Sequence, residues 1–307
     1  MKILLAVDGS EPSLTAVSLV KSLSLPTGSA IEFMTVIADE PLTYGSWPAS
    51  APIQTLAPDR TLSEARARVN DIAAGLATDG HPTCTLVRHG RPASEIVMEA
   101  DRFGADLIVL GARGHSAVER LLVGSVSSEV VDQAHCPVLV VRTPRIARVL
   151  LATDGSTDGS AAAAFLGTLR IFGEPALKVV SVVDPGMPWW ASISPVDGVV
   201  AADAYASALR AAEGHAREVA SSTAASLGAG QVVAEASPLG GDVGSTIVAE
   251  ATDWGADIVV LGTRGHGLLH RALVGSTSRH VLHHAPTSVL IARPARAADT
   301  SVRVDAA

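Results

Sequence analysis

Two glycine-rich segments of the chain carry residue types that can bind phosphate groups. The first is Gly111-Ala112-Arg113-Gly114, nine residues, then Gly124-Ser125; the second is Gly262-Thr263-Arg264-Gly265, nine residues, then Gly275-Ser276. Glycine directly after a strand lets the backbone turn tightly and come close to a ligand. A helix that starts at Gly-Ser then offers unpaired N–H groups and the positive end of its dipole to an anion. The spacing therefore predicts a phosphate cradle in each segment, although glycines after strands are also common as simple turn formers.

Hydroxyl and guanidinium groups accompany these glycines. The hydroxyl donors at the start of each helix are Ser125, Ser127, Ser276, Thr277 and Ser278. Arg113 and Arg264 lie between the first two glycines of their segments, where they could pair with phosphate oxygens or face solvent. His115 and His266 follow the second glycine, and for them a phosphate contact and a role in loop packing are both open.

An aspartate follows the first apolar run of each half of the chain. Asp8 and Asp154 each precede Gly-Ser and a helical stretch. At the carboxyl ends of parallel strands, where ligands bind, such a carboxylate can accept hydrogen bonds from a ribose or a base. Capping of the following helix is the alternative role, because Asp is also a favoured N-cap residue.

The chain repeats itself once. Residues 4–10 return as 150–156 at an offset of 146, and residues 106–128 align with 257–279 at an offset of 151 with 13 of 23 positions identical. Two copies of one domain, 1–144 and 145–307, are the simplest interpretation. The tail from about residue 294 lacks periodicity and is expected to be disordered.

Each copy alternates short apolar runs with longer amphipathic stretches. The apolar runs are 3–7, 31–37, 85–87, 107–110 and 138–141 in the first copy and 149–153, 177–183, 232–235, 258–261 and 289–291 in the second. Runs without polar alternation suit a parallel sheet that is covered on both faces. We therefore expect an α/β fold of two tandem doubly wound parallel five-stranded sheets with helices on both faces.

Two proline-rich segments and two cysteines interrupt this pattern. Residues 39–58 and 184–202 each follow the second strand of their copy, and are either lids and partner surfaces or variable loops. Cys84 and Cys136 fall in strand contexts and are expected to be small core residues.

Composition and missing motifs exclude several functions. A net charge of −8 without a basic run argues against nucleic-acid binding. Two cysteines, an early carboxylate and the lack of a long apolar run favour a cytoplasmic protein without membrane contact. A P-loop and a G-x-S-x-G elbow are both missing. His280, His283 and His284 lie at helical spacing, but the first copy has Glu129, Asp132 and Gln133 there, so a metal site is not expected.

Three motifs together resemble the universal stress protein family: V-D-G-S near the start, D-L-I-V-L-G-A-R-G-H, and V-G-S-V-S before the last helix of the first copy. Both copies match G-x2-G-x9-G-[S/T], the signature of the ATP-binding members of that family. The resemblance covers nearly the whole chain and is closest in organisation to the tandem two-domain members. It implies the adenine-nucleotide alpha-hydrolase-like fold, and a nucleotide-dependent module of the stress response that is not an enzyme. A slow ATPase is the alternative.

The resemblance also implies where a nucleotide would bind. Asp8 and Asp154 would contact the adenosine part, and the backbones of Val36 and Val182 would meet the adenine. The phosphates would be surrounded in copy one by Gly111, Gly114, Gly124, Ser125, Val126 and Ser127, and in copy two by Gly262, Gly265, Gly275, Ser276, Thr277 and Ser278. The expected ligand is ATP, with or without Mg²⁺. Because the family pairs domains through their last strands, the chain resembles an internal dimer that forms a homodimer of tandem chains, with a further protein partner unknown.

Overall fold

The computed structural model describes residues 1–38, 58–75, 81–113, 123–169, 171–183, 198–228, 231–236, 242–263 and 274–294. The strands are β1 Lys2–Ala6, β2 Ala30–Ala38, β3 Thr83–Gly90, β4 Leu107–Gly111, β5 Val138–Val141, β6 Arg148–Ala152, β7 Ala176–Val183, β8 Gln231–Ala236, β9 Ile258–Gly262 and β10 Ser288–Ala292. The helices are α1 Glu11–Ser22, α2 Pro58–Ala74, α3 Pro92–Phe103, α4 Ser125–Gln133, α5 Thr157–Leu169, α6 Gly198–Leu227, α7 Val243–Trp254 and α8 Ser276–His284.

The ten strands form one continuous sheet in the order β3-β2-β1-β4-β5-β10-β9-β6-β7-β8. Within each half the strands are parallel, with the doubly wound order in which β1 and β4, or β6 and β9, lie side by side. The halves join where β5 and β10 pair antiparallel, with Leu139 opposite Leu290. The expected α/β class is confirmed, and the two predicted five-stranded sheets are halves of a single larger one.

Local sequence signals set the helix boundaries. The Ser10 side chain accepts a hydrogen bond from the N–H of Ser13 and caps α1, with Pro12 in the first turn, as the sequence predicts. Helices α3 and α7 both end at a glycine in the left-handed conformation, Gly104 and Gly255. The repeated boundaries give the two copies the same layout of strands and helices.

Two apolar cores cover the two faces of the sheet. One packs α3, α4, α7 and α8 on it through buried residues such as Val130 and Val281, and the other packs α1, α2, α5 and α6 through residues such as Leu19 and Ala220. Each core contains residues from both copies, because side chains of β5 and β10 enter both. The hydrophobic effect that folds each copy therefore also holds the copies together.

Two arginines reinforce the joint between the copies in a nearly symmetric way. Arg142 follows β5 and donates hydrogen bonds to the carbonyls of Thr287 and Leu282, both at 2.8 Å. Arg293 follows β10 and donates to the carbonyl of Val131 at 2.6 Å. Both arginines cap carbonyls at the end of a helix of the other copy, where a positive charge is favourable.

The joint also accommodates a difference between the two copies. Ser288 stands where copy one has Pro137. Serine supplies the N–H that proline lacks, so β10 begins at Ser288 whereas β5 begins only at Val138. The Ser288 hydroxyl accepts a hydrogen bond from the N–H of Arg142 at 3.0 Å. The substitution therefore strengthens the joint.

The cysteines only partly follow their expectation. Cys84 lies on the edge strand β3 and is exposed, so its prediction as a core residue is wrong; an edge strand has a neighbour on one side only. Cys136 is half-buried and packs against the core beneath α3 and α4. In the described parts of the chain, none of the helices is both long enough and apolar enough to cross a membrane.

Candidate functional site

A cleft of about 540 Å³ opens at the carboxyl ends of β1, β2 and β4 in copy one. Its volume lies within the usual range for small-molecule sites. Of the residues predicted to bind a ligand, it is lined by Asp8, Val36, Gly111, Arg113, Gly124, Ser125, Val126 and Ser127. The fold thus brings together, around one cleft, residues that lie more than a hundred positions apart in the sequence.

The first glycine of each motif has a structural role that its sequence context did not reveal. A Cβ on Gly111 would lie 2.6 Å from the backbone carbon of Pro12 and 2.8 Å from the nitrogen of Ser13. On Gly262 it would lie 2.5 Å from the backbone carbon of Asp158. Glycine is required here because the start of α1 or α5 rests directly on the strand, a requirement that holds with or without a ligand.

The later glycine of each motif is a helix N-cap. Gly124 and Gly275 have extended backbone (φ −75° and −64°) and provide no side chain to cap the helix. Their N–H groups donate to the carbonyls of Ala112 and Thr263, both at 2.7 Å. These bonds tie the start of each helix to the residue that follows the preceding strand. The first N–H groups of α4 and α8 therefore have no side-chain acceptor at the cap and are available to an anion.

The hydroxyl groups at these helix starts differ in what they can do. Ser127 is buried, and its hydroxyl donates to the carbonyl of Gly111 at 2.9 Å; Ser278 does the same to Gly262 at 2.8 Å. Their hydroxyl protons are thus used inside the fold, so the expected donation of these hydroxyls to phosphate is corrected. Ser125 and Ser276 are exposed at the first helical position, and Thr277 is half-buried where copy one has the apolar Val126.

The aspartate after the first strand of each half holds the following turn. Asp8 Oδ1 accepts hydrogen bonds from the N–H and the hydroxyl of Ser10, at 2.9 and 2.6 Å. Asp154 Oδ1 accepts from the N–H of Ser156 at 2.9 Å. Ser10, not Asp8, is the N-cap of α1. In copy two the Ser156 hydroxyl accepts the corresponding hydrogen bond, from the N–H of Gly159 at 3.1 Å. Asp8 is only half-buried and faces the cleft as well as its turn.

The second strand forms the adjoining wall of the cleft. The Thr35 hydroxyl donates to the carbonyl of Val7 at 2.6 Å, which locks the end of β2 against the end of β1 and places Val36 at the cleft. In copy two the equivalent of Thr35 is Ser181, whose buried hydroxyl has no hydrogen-bond partner among the residues that the structure describes. Val182 is buried beside it.

Arginine side chains add positive charge behind the cradle. Arg113 lines the cleft and is half-buried. Its charge also reaches Arg142: burial, and then repulsion from Arg113, lowers the pKa of the Arg142 guanidinium to about 10. Arg142 remains protonated at neutral pH. The remaining predicted site residues, Gly114, Arg264 and Gly265, lie outside the described residues, as do His115, His266 and residues 39–57 and 184–197 of the proline-rich segments.

The sequence did not single out several residues that line the cleft. Glu64, Ala65 and Arg68 come from α2, and Pro92 and Ile96 from the start of α3. Of the α2 arginines whose side chains the structure describes, Arg68 lines the cleft and Arg66, two positions earlier, does not. Comparison of the two copies is the one signal that could have drawn attention to this helix.

The histidines of α8 form a polar cluster at the start of α7. The rings of His280 and His284 stack at 4.1 Å, and His280 Nδ1 lies 3.1 Å from Asp242 Oδ2. At the equivalent place copy one pairs Arg91 with Glu129 at 3.3 Å, so the acidic residue stands on the other helix of the pair. In the chain as far as it is described, no group of three or more metal-ligating side chains converges. The cluster is a polar contact between two helices.

Comparisons with known proteins agree with this architecture. A model of the universal stress protein family matches residues 1–142 and again 146–293. A universal stress protein of Methanocaldococcus jannaschii is 34% identical over 148 residues, 47% of this chain and 83% of that protein. One from Thermus aquaticus is 38% identical over 141 residues, 46% of this chain and 97% of that protein. A universal stress protein structure from Archaeoglobus fulgidus has the same fold, with a TM-score of 0.63 at 22% identity over 95% of this chain and 98% of that one. The chain therefore belongs to the universal stress protein family, as a member with two copies in tandem.

Proposed function

We propose that this protein binds ATP and acts as a nucleotide-dependent module of the stress response. The observation that carries the proposal is the cleft of copy one, which joins a carboxylate, an apolar strand end and an uncapped helix N-terminus. These are the groups that an adenine nucleotide requires: acceptors for the ribose, an apolar surface for the base and N–H donors for the phosphates. Membership of the family and the complete glycine signature in both copies support it.

Each part of the cleft has a distinct role in this proposal. The half-buried Val36 and the backbone around it hold the base, and Asp8 accepts hydrogen bonds from the ribose. The N–H groups of Ser125, Val126 and Ser127, with the dipole of α4, bind the phosphates. Arg113 pairs with the phosphate oxygens, and Asp154, Val182 and the helix start at Gly275–Ser278 serve copy two in the same way. Mg²⁺ would bind through the phosphates.

The protein acts by binding and not by turnover in this proposal. The N–H and the hydroxyl of Ser10 both donate to one carboxylate oxygen of Asp8. We therefore assign Asp8 a role in positioning the ligand and not that of a general base. Bound nucleotide stabilises one conformation of the segments around the cleft, and a partner senses that conformation. A slow ATPase is the competing function, and the nucleotide recovered from the protein distinguishes the two.

The experiment combines recovery of bound nucleotide with a charge reversal in the cradle. Protein is denatured, released nucleotide is identified by mass spectrometry, and ATP binding is measured by calorimetry. Ser125→Asp places a carboxylate at the first position of α4, where it favours the helix but repels phosphate, so ATP affinity at copy one should fall at least about tenfold without loss of stability. Thr157→Asp adds the same charge at the first position of α5, where copy one already has Glu11, and is the matched control.

The outcomes separate the candidate functions. Recovery of ATP, with weakened binding in Ser125→Asp alone, supports the proposal. Recovery of ADP together with measurable turnover would favour the ATPase. Binding that Ser125→Asp leaves unchanged would show that the helix start of α4 does not hold the phosphates. A protein that carries no nucleotide and gives no heat with ATP would refute the proposed function.

A further inference from the structure

We infer that the two copies form unequal nucleotide sites, and that Arg68 is a specificity-determining residue which only copy one possesses. The inference rests on the proposed function and deepens it. It starts from a difference between α2 and α6, the helices that follow the second strand in each copy. The helix starts at the phosphate cradle are nearly identical in the two copies, whereas Arg68 lies on the opposite wall of the cleft.

The packing of the two helices shows which of their residues correspond. Val69 and Ala73 of α2 are buried against the sheet, and so are Ala220 and Ala224 of α6. Both pairs are related by an offset of 151 residues, the same offset that relates the glycine motifs. The residue of α6 that corresponds to Arg68 is therefore Val219.

Contacts with the first turn of each copy give the same correspondence independently. Gly9 and Gly155 occupy equivalent left-handed positions, with φ of +81° and +77°. A Cβ on Gly9 would lie 3.0 Å from Cδ of Arg68, and one on Gly155 would lie 3.1 Å from Cγ2 of Val219. Both side chains thus cover the turn next to the aspartate that follows the first strand of their copy, but only Arg68 extends beyond it with a charged group.

Arg68 and the glycine-capped helix approach the cleft from opposite sides. The buried residues of α2 belong to the core on one face of the sheet, and those of α4 to the core on the other face. Arg68 is exposed. It lines the cleft together with Ser125, Val126 and Ser127 of α4. A guanidinium presents up to five N–H donors and binds phosphate in a bidentate way. In copy one an anion would therefore meet donors from both walls.

The position one turn before Arg68 also differs between the two copies. Glu64, one turn before Arg68, also lines the cleft, and its counterpart in copy two is the exposed His215. Copy two thus has a histidine and a valine where copy one has Glu64 and Arg68, and valine cannot hydrogen-bond to phosphate. ATP should therefore fill copy one first.

The test measures each site separately in the full-length protein. Ser276→Asp blocks copy two and Ser125→Asp blocks copy one, and each variant is titrated with ATP and with adenosine. We expect ATP to bind the copy-one site about 10- to 100-fold more tightly, the range for loss of a charged hydrogen bond. Adding Arg68→Val to Ser276→Asp should remove this advantage for ATP and leave adenosine affinity nearly unchanged. Arg66→Val, on the same helix, is the matched control, and Val219→Arg in the Ser125→Asp background should strengthen ATP binding.

Each result decides the inference. Equal ATP affinity at the two sites, or an Arg68→Val effect no larger than that of Arg66→Val, would overturn it while leaving the proposed function intact. An equal loss of ATP and adenosine affinity in Arg68→Val would also overturn it, because Arg68 would then act on the shape of the cleft and not on phosphate. Absence of any adenine-nucleotide binding by the unaltered protein would instead refute the proposed function itself.

Discussion

Replacement of Gly111 by alanine tests whether the first glycine of the motif serves packing or ligand binding. The added Cβ would lie 2.6 Å from the backbone carbon of Pro12, whereas ordinary contact begins at 3.4 Å, so α1 must move by about 0.8 Å. The obstructing atoms are backbone, which no rotamer change can move aside. Overpacking of this kind costs about 1–3 kcal/mol, and alanine recovers about 0.4–1 kcal/mol by restricting the unfolded chain. We therefore expect Gly111→Ala to lower the free energy of unfolding by about 1–2 kcal/mol.

Urea-induced unfolding followed by circular dichroism measures this change. Gly214→Ala is the control, because Gly214 lies within α6 with nothing within 4 Å of an added Cβ. That substitution should raise stability by about 0.5–1 kcal/mol through helix propensity. An unfolding midpoint of Gly111→Ala at or above that of the unaltered protein would refute the packing argument. Loss of ATP binding by such a stable variant would show that the glycine serves the ligand.

Two further predictions concern Glu32 on β2 and the neighbouring Cys84 on β3. Burial, and then the neighbouring Glu99, raises the pKa of Glu32, so its stabilising contribution is complete only below about pH 4.5 and is lost as pH rises through the raised value. Glu32→Gln should therefore stabilise the protein by about 1 kcal/mol at pH 7 and by less near pH 4 in thermal unfolding, with the exposed Glu218→Gln as control; a gain independent of pH would contradict this. Although Cys84 is exposed as a residue, partial burial of its thiol and the Glu32 carboxyl group, 3.4 Å from the thiol, raise its pKa to about 11. Maleimide should therefore label exposed Cys84 at pH 7 at least about tenfold more slowly than a cysteine peptide, and faster in Glu32→Gln; labelling at the peptide's rate would exclude the raised pKa.

The order of strands and helices could be predicted because it depends on local patterns. Runs such as Leu107–Leu110 and Val138–Val141 are apolar at every position. A strand that is covered on both faces shows this pattern, whereas a strand with one face in solvent alternates apolar and polar residues. The internal repeat then supplied a second example of each strand and helix pattern. The joining of the two halves through β5 and β10 depends on contacts between distant segments, and only the resemblance to a known family indicated it.

The position of the phosphate cradle could be predicted from the sequence, but the roles of its individual residues could not. Gly111 was expected to approach a ligand, yet what its missing Cβ avoids is α1, a contact that no local pattern encodes. A paired substitution in copy two shows the same limit. Thr263 replaces Ala112 and Asp158 replaces Pro12, and the Thr263 hydroxyl donates to the Asp158 carboxylate. Both changes are visible in the sequence, but only the fold shows that they compensate each other.

The antiparallel joint determines how the two sites relate to each other. Because β5 and β10 run in opposite directions, the carboxyl ends of β1 and β4 lie at one edge of the sheet and those of β6 and β9 at the other. One ligand therefore cannot bridge the two helix starts, and under the proposed function each would bind its own. A change on the α2 wall would then affect copy one alone, so the inferred difference between Arg68 and Val219 would make the sites unequal while the shared core stays the same.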